Sequence, residues 1–297
     1  MPVGALIAGP KQLTKNGEPM KHDPTTDAYG WMAAHLPNEV GIGGALITMV
    51  EPDVGYEHAY NRWYEDDHFF SGAMVGPWMF SGRRWVATRD LQAMRFPADS
   101  PIAQPVGAGC YISTYWASAG HHDDAVHWGV IAMRDNLYPQ GRGFDQRQHV
   151  YTAFSTYDFG VVRRDLPRLQ PHLVLEHPMA AMVVEVIEPD TGLDREILLA
   201  RLRDDVVPAE LEGSPCAAAL AFMPEPLPPT NVPRVQSVPG AGRNITLLWF
   251  LQADPRICWS KFTAHTERYR DIGGTLVFAA PFVPTIPGTD TYVSELR

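Results

Sequence analysis

From residue 39 onward, runs of apolar residues alternate with amphipathic stretches in a regular order. Ile42 to Val50 is a continuous apolar run closed by Glu51-Pro52-Asp53, which reads as a buried strand. Tyr56 to Met74 follows with helical spacing, and Asp53 is placed to cap it. Phe80 to Ala87 and Tyr111 to Trp116 read as strands, separated by a proline-rich connection from Pro97 to Pro105. Asp123 to Leu137 reads as a second helix and Val150 to Tyr157 as a fourth strand. The order, β-α-β-β-α-β, then recurs: strands at Met182 to Ile187, Ala217 to Met223, Ile245 to Leu251 and Thr275 to Phe282, with helices at Asp194 to Val207 and Pro255 to Asp271.

The repetition is visible in the letters too. Met49-Val50-Glu51-Pro52-Asp53-Val54-Gly55 matches Val186-Ile187-Glu188-Pro189-Asp190-Thr191-Gly192. Tyr115-Trp116 falls opposite Leu248-Trp249, and Trp128 opposite Trp259. The expected fold class is therefore α+β, with two tandem ferredoxin-like halves. Two helices cover only one face of a four-stranded sheet, so the other needs an apolar partner. The economical solution is sheet against sheet within one chain, a barrel of the dimeric α+β type. Its expected cavity would be lined by Tyr111, Tyr115, Trp116, Phe154, Tyr157, Trp249 and Phe278. Residues 1–38 show no sustained period and read as an arm or lid. The first half is expected over 39–165 and the second, a structural partner, over 166–297.

Composition narrows the function. Of 297 residues, 45% are hydrophobic and the net charge is −10, which speaks against binding nucleic acid or an anionic membrane. Lysine is confined to Lys11, Lys15, Lys21 and Lys261, a bias expected of a GC-rich bacterial genome. Cys110, Cys216 and Cys258 are scattered, which supports neither a disulfide framework nor a thiolate zinc site. No apolar run approaches the ~20 residues of a membrane helix, and the first residues lack a basic start. The expectation is a soluble, cytoplasmic protein, either a monomeric pseudo-dimer or a small homo-oligomer.

The chemistry-bearing stretch is Tyr60-Asn61-Arg62-Trp63-Tyr64-Glu65-Asp66-Asp67-His68, followed by Val75-Gly76-Pro77-Trp78 and a strand containing Arg83-Arg84. Tyr60, Tyr64 and His68 share one helical stripe. An imidazole can take and return a proton near neutral pH, and a phenol one turn back can donate to a developing oxyanion. Asp67 or Asp66 could hold the imidazole's tautomer. Other clusters are weaker. His121-His122-Asp123-Asp124 with His127 lacks the i,i+4 spacing of a helical metal site and reads as a helix N-terminus, and His149 begins a strand and could point into the barrel. No nucleotide-binding glycine loop or serine-hydrolase elbow occurs.

The stretch resembles the N-x-W-Y-x-x-x-H pattern, then a Pro/Gly turn, then a strand ending in Arg, of EthD-like members of the dimeric α+β barrel superfamily. The resemblance is specific over residues 42–88 and architectural elsewhere. Two departures stand out: Gly76-Pro77 inverts the usual order, and the second copy lacks the motif. The resemblance implies a lyase, isomerase or cyclase without a cofactor, acting on a small apolar or aromatic molecule that bears a carbonyl or phenol. It also implies catalytic roles for His68 and Tyr64 and binding roles for Trp63 and Arg84, to which the residues themselves add Asp67 as orienter and Trp78, Tyr111 and Tyr115 as substrate contacts. Distant relatives bind haem, so the first alternative is a haem enzyme of dehydratase or peroxidase type, with His265, His149 or His127 as axial ligand. The second alternative is a non-catalytic small-molecule binder.

Overall fold

Each strand of the repeat carries two apolar faces, and the structure uses both. The computed structural model describes residues 40–228, 235 and 237–297; the expected arm at 1–38 lies outside the described residues. The first half comprises β1 (Ile42–Pro52), α1 (Glu57–Trp63, continuing through wide π turns at Tyr64–His68 and Phe70–Met74), β2 (Met79–Val86), β3 (Tyr111–Ser118), α3 (His122–Ile131, continuing through Ala132–Leu137) and β4 (Arg147–Val162). A short helix not expected from the sequence, α2 (Arg89–Ala93), follows β2. The second half comprises β5 (Ala181–Pro189), α4 (Arg195–Arg201), a π turn at Leu202–Val206, α5 (Val207–Leu211), β6 (Cys216–Pro224), β7 (Ile245–Leu251), α6 (Trp259–Asp271) and β8 (Gly274–Pro284). Asp53 does not cap α1. The residue preceding that helix is Tyr56, without a side-chain cap, and its N–H reaches the Asp53 carbonyl.

The strands close a barrel in the order β1-β3-β2-β8-β5-β7-β6-β4. Each half contributes the 4-1-3-2 order of a ferredoxin-like sheet, and the two sheets join at β2–β8 and β4–β6. The fold expected from the repeat is the one observed.

The expected barrel cavity is not. Alternate residues such as Ile47, Trp85, Trp116, Phe222, Phe250, Phe278 and Phe282 point inward and form a packed core. Trp116 stacks on Phe222 of the other half with ring centroids 5.1 Å apart. Eight strands leave an interior just wide enough for side chains to fill. Tyr111, Tyr115, Phe154 and Trp249 face the opposite way, toward the helices. The letter-by-letter repeat is also one residue out of register here. β1 pairs Thr48 with Ser113 and β5 pairs Glu185 with Leu247, so Tyr115 corresponds to Trp249 and Trp116 to Phe250.

Candidate functional site

The two halves treat the space between sheet and helices differently. In the second half it is filled by Trp249, Phe262 and a polar knot around Glu185, all buried. Glu185 accepts from Trp249 Nε1 at 2.7 Å, from the Tyr269 hydroxyl, and pairs with His265 Nδ1 at 2.9 Å. In the first half, Thr48 stands at the position of Glu185, and a cavity of about 110 Å³ remains. Its walls come from β1, β3 and β4 on one side and from α1 and α3 with their π turns on the other. The lining is mainly apolar, with Leu46, Val130, Met133 and Phe154, and a few polar groups converge on it. A wide helical turn by itself does not mark the site, because Leu202–Val206 repeats it in the half without this cavity.

Tyr64 and His68 both line the cavity, as the helical stripe predicts. The His68 ring lies on Trp63, with centroids 4.1 Å apart and planes 21° from parallel. A Cβ on Gly72 would come within 2.9 Å of His68 Cε1, so the glycine makes room for the imidazole. His68 Nδ1 is buried and finds no hydrogen-bond partner among the described residues. Burial, and then the charge of Arg147 and the neighbouring His149, hold the His68 pKa well below its usual value. The imidazole is therefore neutral at pH 7 and able to accept a proton. The Tyr64 hydroxyl meets that of Tyr115 at 2.7 Å. Burial pushes the Tyr115 pKa well up, so it stays a phenol.

Several expected contacts are corrected. Asp67 does not hold His68; its carboxylate accepts from Arg142. Trp63 supports His68 from behind and is not among the cavity-lining residues, while its Nε1–H donates to the Arg142 carbonyl at 2.9 Å. Arg84 is buried beneath the site, where it donates to Glu65 and Asn61 and lies 4.7 Å from the Tyr64 ring centroid and 4.0 Å from that of Tyr111. Tyr111 packs with Tyr60 and Arg84 away from the cavity, and Trp78 stacks on His121 at 3.9 Å. Only Tyr115 of the expected substrate contacts reaches the cavity.

Arg147 and Thr152 carry no signal in the sequence, and the direction of His149, which the sequence leaves open, is toward this cavity. β4 begins at Arg147, three residues before the apolar run at Val150 betrays a strand. A bulge then pairs Val50 with His149 and Met49 with Tyr151. In a regular strand residues i and i+3 face opposite ways, but the bulge brings His149 and Thr152 to one face. His149 Nδ1 lies 2.7 Å from Thr152 Oγ1, which lies 2.8 Å from Thr48 Oγ1. Burial and Arg147 lower the His149 pKa to about 3.

No family model matches the chain, and no curated protein matches it in sequence. Solved structures match over most of the chain. An anthrone oxidase-like protein is 7% identical with TM-score 0.49, covering 84% of this chain and 94% of its own. A DypB variant of Rhodococcus jostii in complex with heme is 10% identical with TM-score 0.45, covering 89% and 98%. A chlorite dismutase mutant from Candidatus Nitrospira defluvii in complex with cyanide is 8% identical with TM-score 0.41, covering 85% and 94%. Likeness at this level carries no argument about chemistry here. The expectation of chemistry without a cofactor finds no support among them: the DypB variant is in complex with heme.

The residues present do not fit a haem. A cavity of about 110 Å³ is on the scale of the roughly 150 Å³ that accommodates benzene, and far below a porphyrin macrocycle. Of the expected axial ligands, His265 is enclosed between Glu185 and Glu210, and His127 is exposed on α3. His149 reaches the cavity, but the cavity in front of it is the size of one ring. Among the described residues there is no cluster of three or more metal-ligating side chains, and no helix long and apolar enough to cross a membrane.

Proposed function

We propose that the chain is an enzyme that moves protons on a small apolar or aromatic molecule bearing a carbonyl or phenol, in a reaction of the lyase, isomerase or cyclase kind. The observation supporting this most strongly is the neutral imidazole of His68 at a small apolar cavity, one helical turn from the Tyr64–Tyr115 hydroxyl pair. Concave apolar sites with a few convergent polar groups and shifted pKa values are where chemistry concentrates.

The His68 imidazole takes the proton of an activated C–H or a phenolic O–H. The bonding pair stays on the substrate and delocalises onto its oxygen. Tyr64 donates a hydrogen bond to that oxygen as charge develops, and Tyr115 supports the Tyr64 hydroxyl. Return of the proton from His68 to a different atom, or loss of a leaving group, completes the reaction. Trp63 and Gly72 fix the imidazole plane, and Arg84 holds the Tyr64 ring from below.

Hydrogen exchange tests this without the natural substrate. A panel of small phenols and ketones is incubated with the protein in D₂O, and exchange at acidic C–H positions is followed by NMR. His68→Ala should slow catalysed exchange by about 10²- to 10⁴-fold, as for a general acid–base residue, and Tyr64→Phe by less. Both should leave the melting temperature close to that of the parent. Exchange that survives His68→Ala, or a ligand bound equally well without any exchange, would return the cavity to a binding role.

A further inference from the structure

Three arginines are buried among the described residues, and they differ in what surrounds their charge. Arg84 is met by the carboxylate of Glu65 at 3.2 Å. Arg95 donates to the carbonyls of Gly107, Ala108 and Gly109. Arg147 has neither. It is 5% exposed and lines the cavity, and its side chain makes one hydrogen bond among the described residues, from Nη2 to the Tyr138 hydroxyl at 3.1 Å. Its guanidinium also lies 4.6 Å from the centroid of Trp63. No carboxylate among the described residues pairs with it. Buried charges are ordinarily paired, because desolvation costs several kcal/mol per ion. The titratable groups facing it do not supply the missing charge: burial and Arg147 hold His68 and His149 neutral at pH 7, and burial keeps Tyr115 a phenol.

We propose that Arg147 is the receptor for a substrate carboxylate, so that the cavity takes a small, one-ring or short-chain monocarboxylic acid. The proposal rests on the reading of the cavity as the substrate site and adds its substrate class. The guanidinium is planar and presents parallel N–H donors that match a carboxylate, and its Nε and Nη1 make no hydrogen bond among the described residues. A single cation in an apolar cavity balances a single negative charge, so a phosphate dianion would leave one charge buried and unpaired. The size agrees, since about 110 Å³ matches little more than an aromatic ring. Arg147 enters the cavity beside His149 on β4, whereas His68 and Tyr64 enter from α1. A carboxylate on Arg147 would anchor one end of the molecule and present another part to His68.

Calorimetric titration with benzoate and with its neutral isostere benzamide tests this directly. Benzoate should bind about tenfold to a hundredfold more tightly, the range expected for charge-assisted hydrogen bonds. Arg147→Met should abolish that preference and Arg147→Lys should keep part of it. Arg147→Met should also melt within a few degrees of the parent, because it removes a buried charge that no described carboxylate balances. Equal binding of both probes, a preference that survives Arg147→Met, or no binding of benzoate, phenylacetate and crotonate at millimolar concentration would overturn the proposal. His68→Ala separates this from the proton-transfer reading. Carboxylate binding should persist in that variant while exchange is lost, so each can fail without the other.

Discussion

Replacing His265 with leucine, a side chain of similar bulk without charge, would leave Glu185 fully buried and without its cation. Burial alone would lower the His265 pKa, but the Glu185 carboxylate and contact with Glu210 outweigh it and raise the pKa to about 9. An imidazolium stabilised in this way contributes fully below its unfolded value near 6.5, and the contribution is lost as pH rises through about 9. A rise of that size corresponds to about 3 kcal/mol. The usual cost of breaking a buried pair, about 3–5 kcal/mol, agrees with it. For a chain of this size each kcal/mol moves the melting temperature by roughly 2–4 °C, so His265→Leu should lower it by roughly 6–20 °C at pH 7. The deficit should shrink by most of that amount at pH 10, where the parent has lost the charge as well. Adding Glu185→Gln should restore part of the loss, because the amide still accepts from Trp249 without needing a cation. Thermal unfolding followed by circular dichroism at pH 7 and 10 decides the matter. A deficit that is the same at both pH values would show that packing, and not the ion pair, holds this half together.

Asp67→Asn should leave His68-dependent exchange nearly unchanged, because the carboxylate belongs to a partly exposed pair with Arg142; the exchange assay checks this directly. Gly72→Ala should slow exchange while moving the melting temperature little, since its Cβ would displace the His68 ring but alanine favours the helix by up to about 1 kcal/mol. Thr152→Val should cost about 1–3 kcal/mol in thermal unfolding, because Thr48 and His149 Nδ1 both lose their partner.

The fold is legible because the apolar runs and the repeated E-P-D segments give both the element order and the twofold repetition. The cavity's place is not. Whether a strand residue faces helix or barrel depends on one residue of register, and Tyr115-Trp116 against Leu248-Trp249 differs from the true register by that one residue. His68 and Tyr64 stand out because helical spacing puts them on one stripe. Arg147 does not, because it precedes the apolar run of β4 and owes its direction to the strand's first pairs with β1. His149 is redirected by a bulge that leaves no mark in the letters. Asp67 is adjacent to His68 in sequence, yet Arg142, 75 positions away, claims its carboxylate.

The two joints of the barrel are unequal. β4 runs sixteen residues and pairs with β6 at seven positions, so one strand belongs to both sheets. β2 and β8 meet at only two positions, Trp85 with Pro284 and Val86 with Val283. The ring thus has a weld on one side and a slit on the other, and the chain just beyond β8 serves as the clasp over the slit. Thr285 N–H reaches the Arg84 carbonyl, Gly288 N–H reaches Glu65, and Asn61 and Arg62 donate to the Thr289 carbonyl. Each of these anchors lies on α1 or β2, so the last dozen residues fasten the second half to the helix that carries Tyr64 and His68. Fraying of the C-terminus would loosen the far wall of the cavity before it disturbed the core.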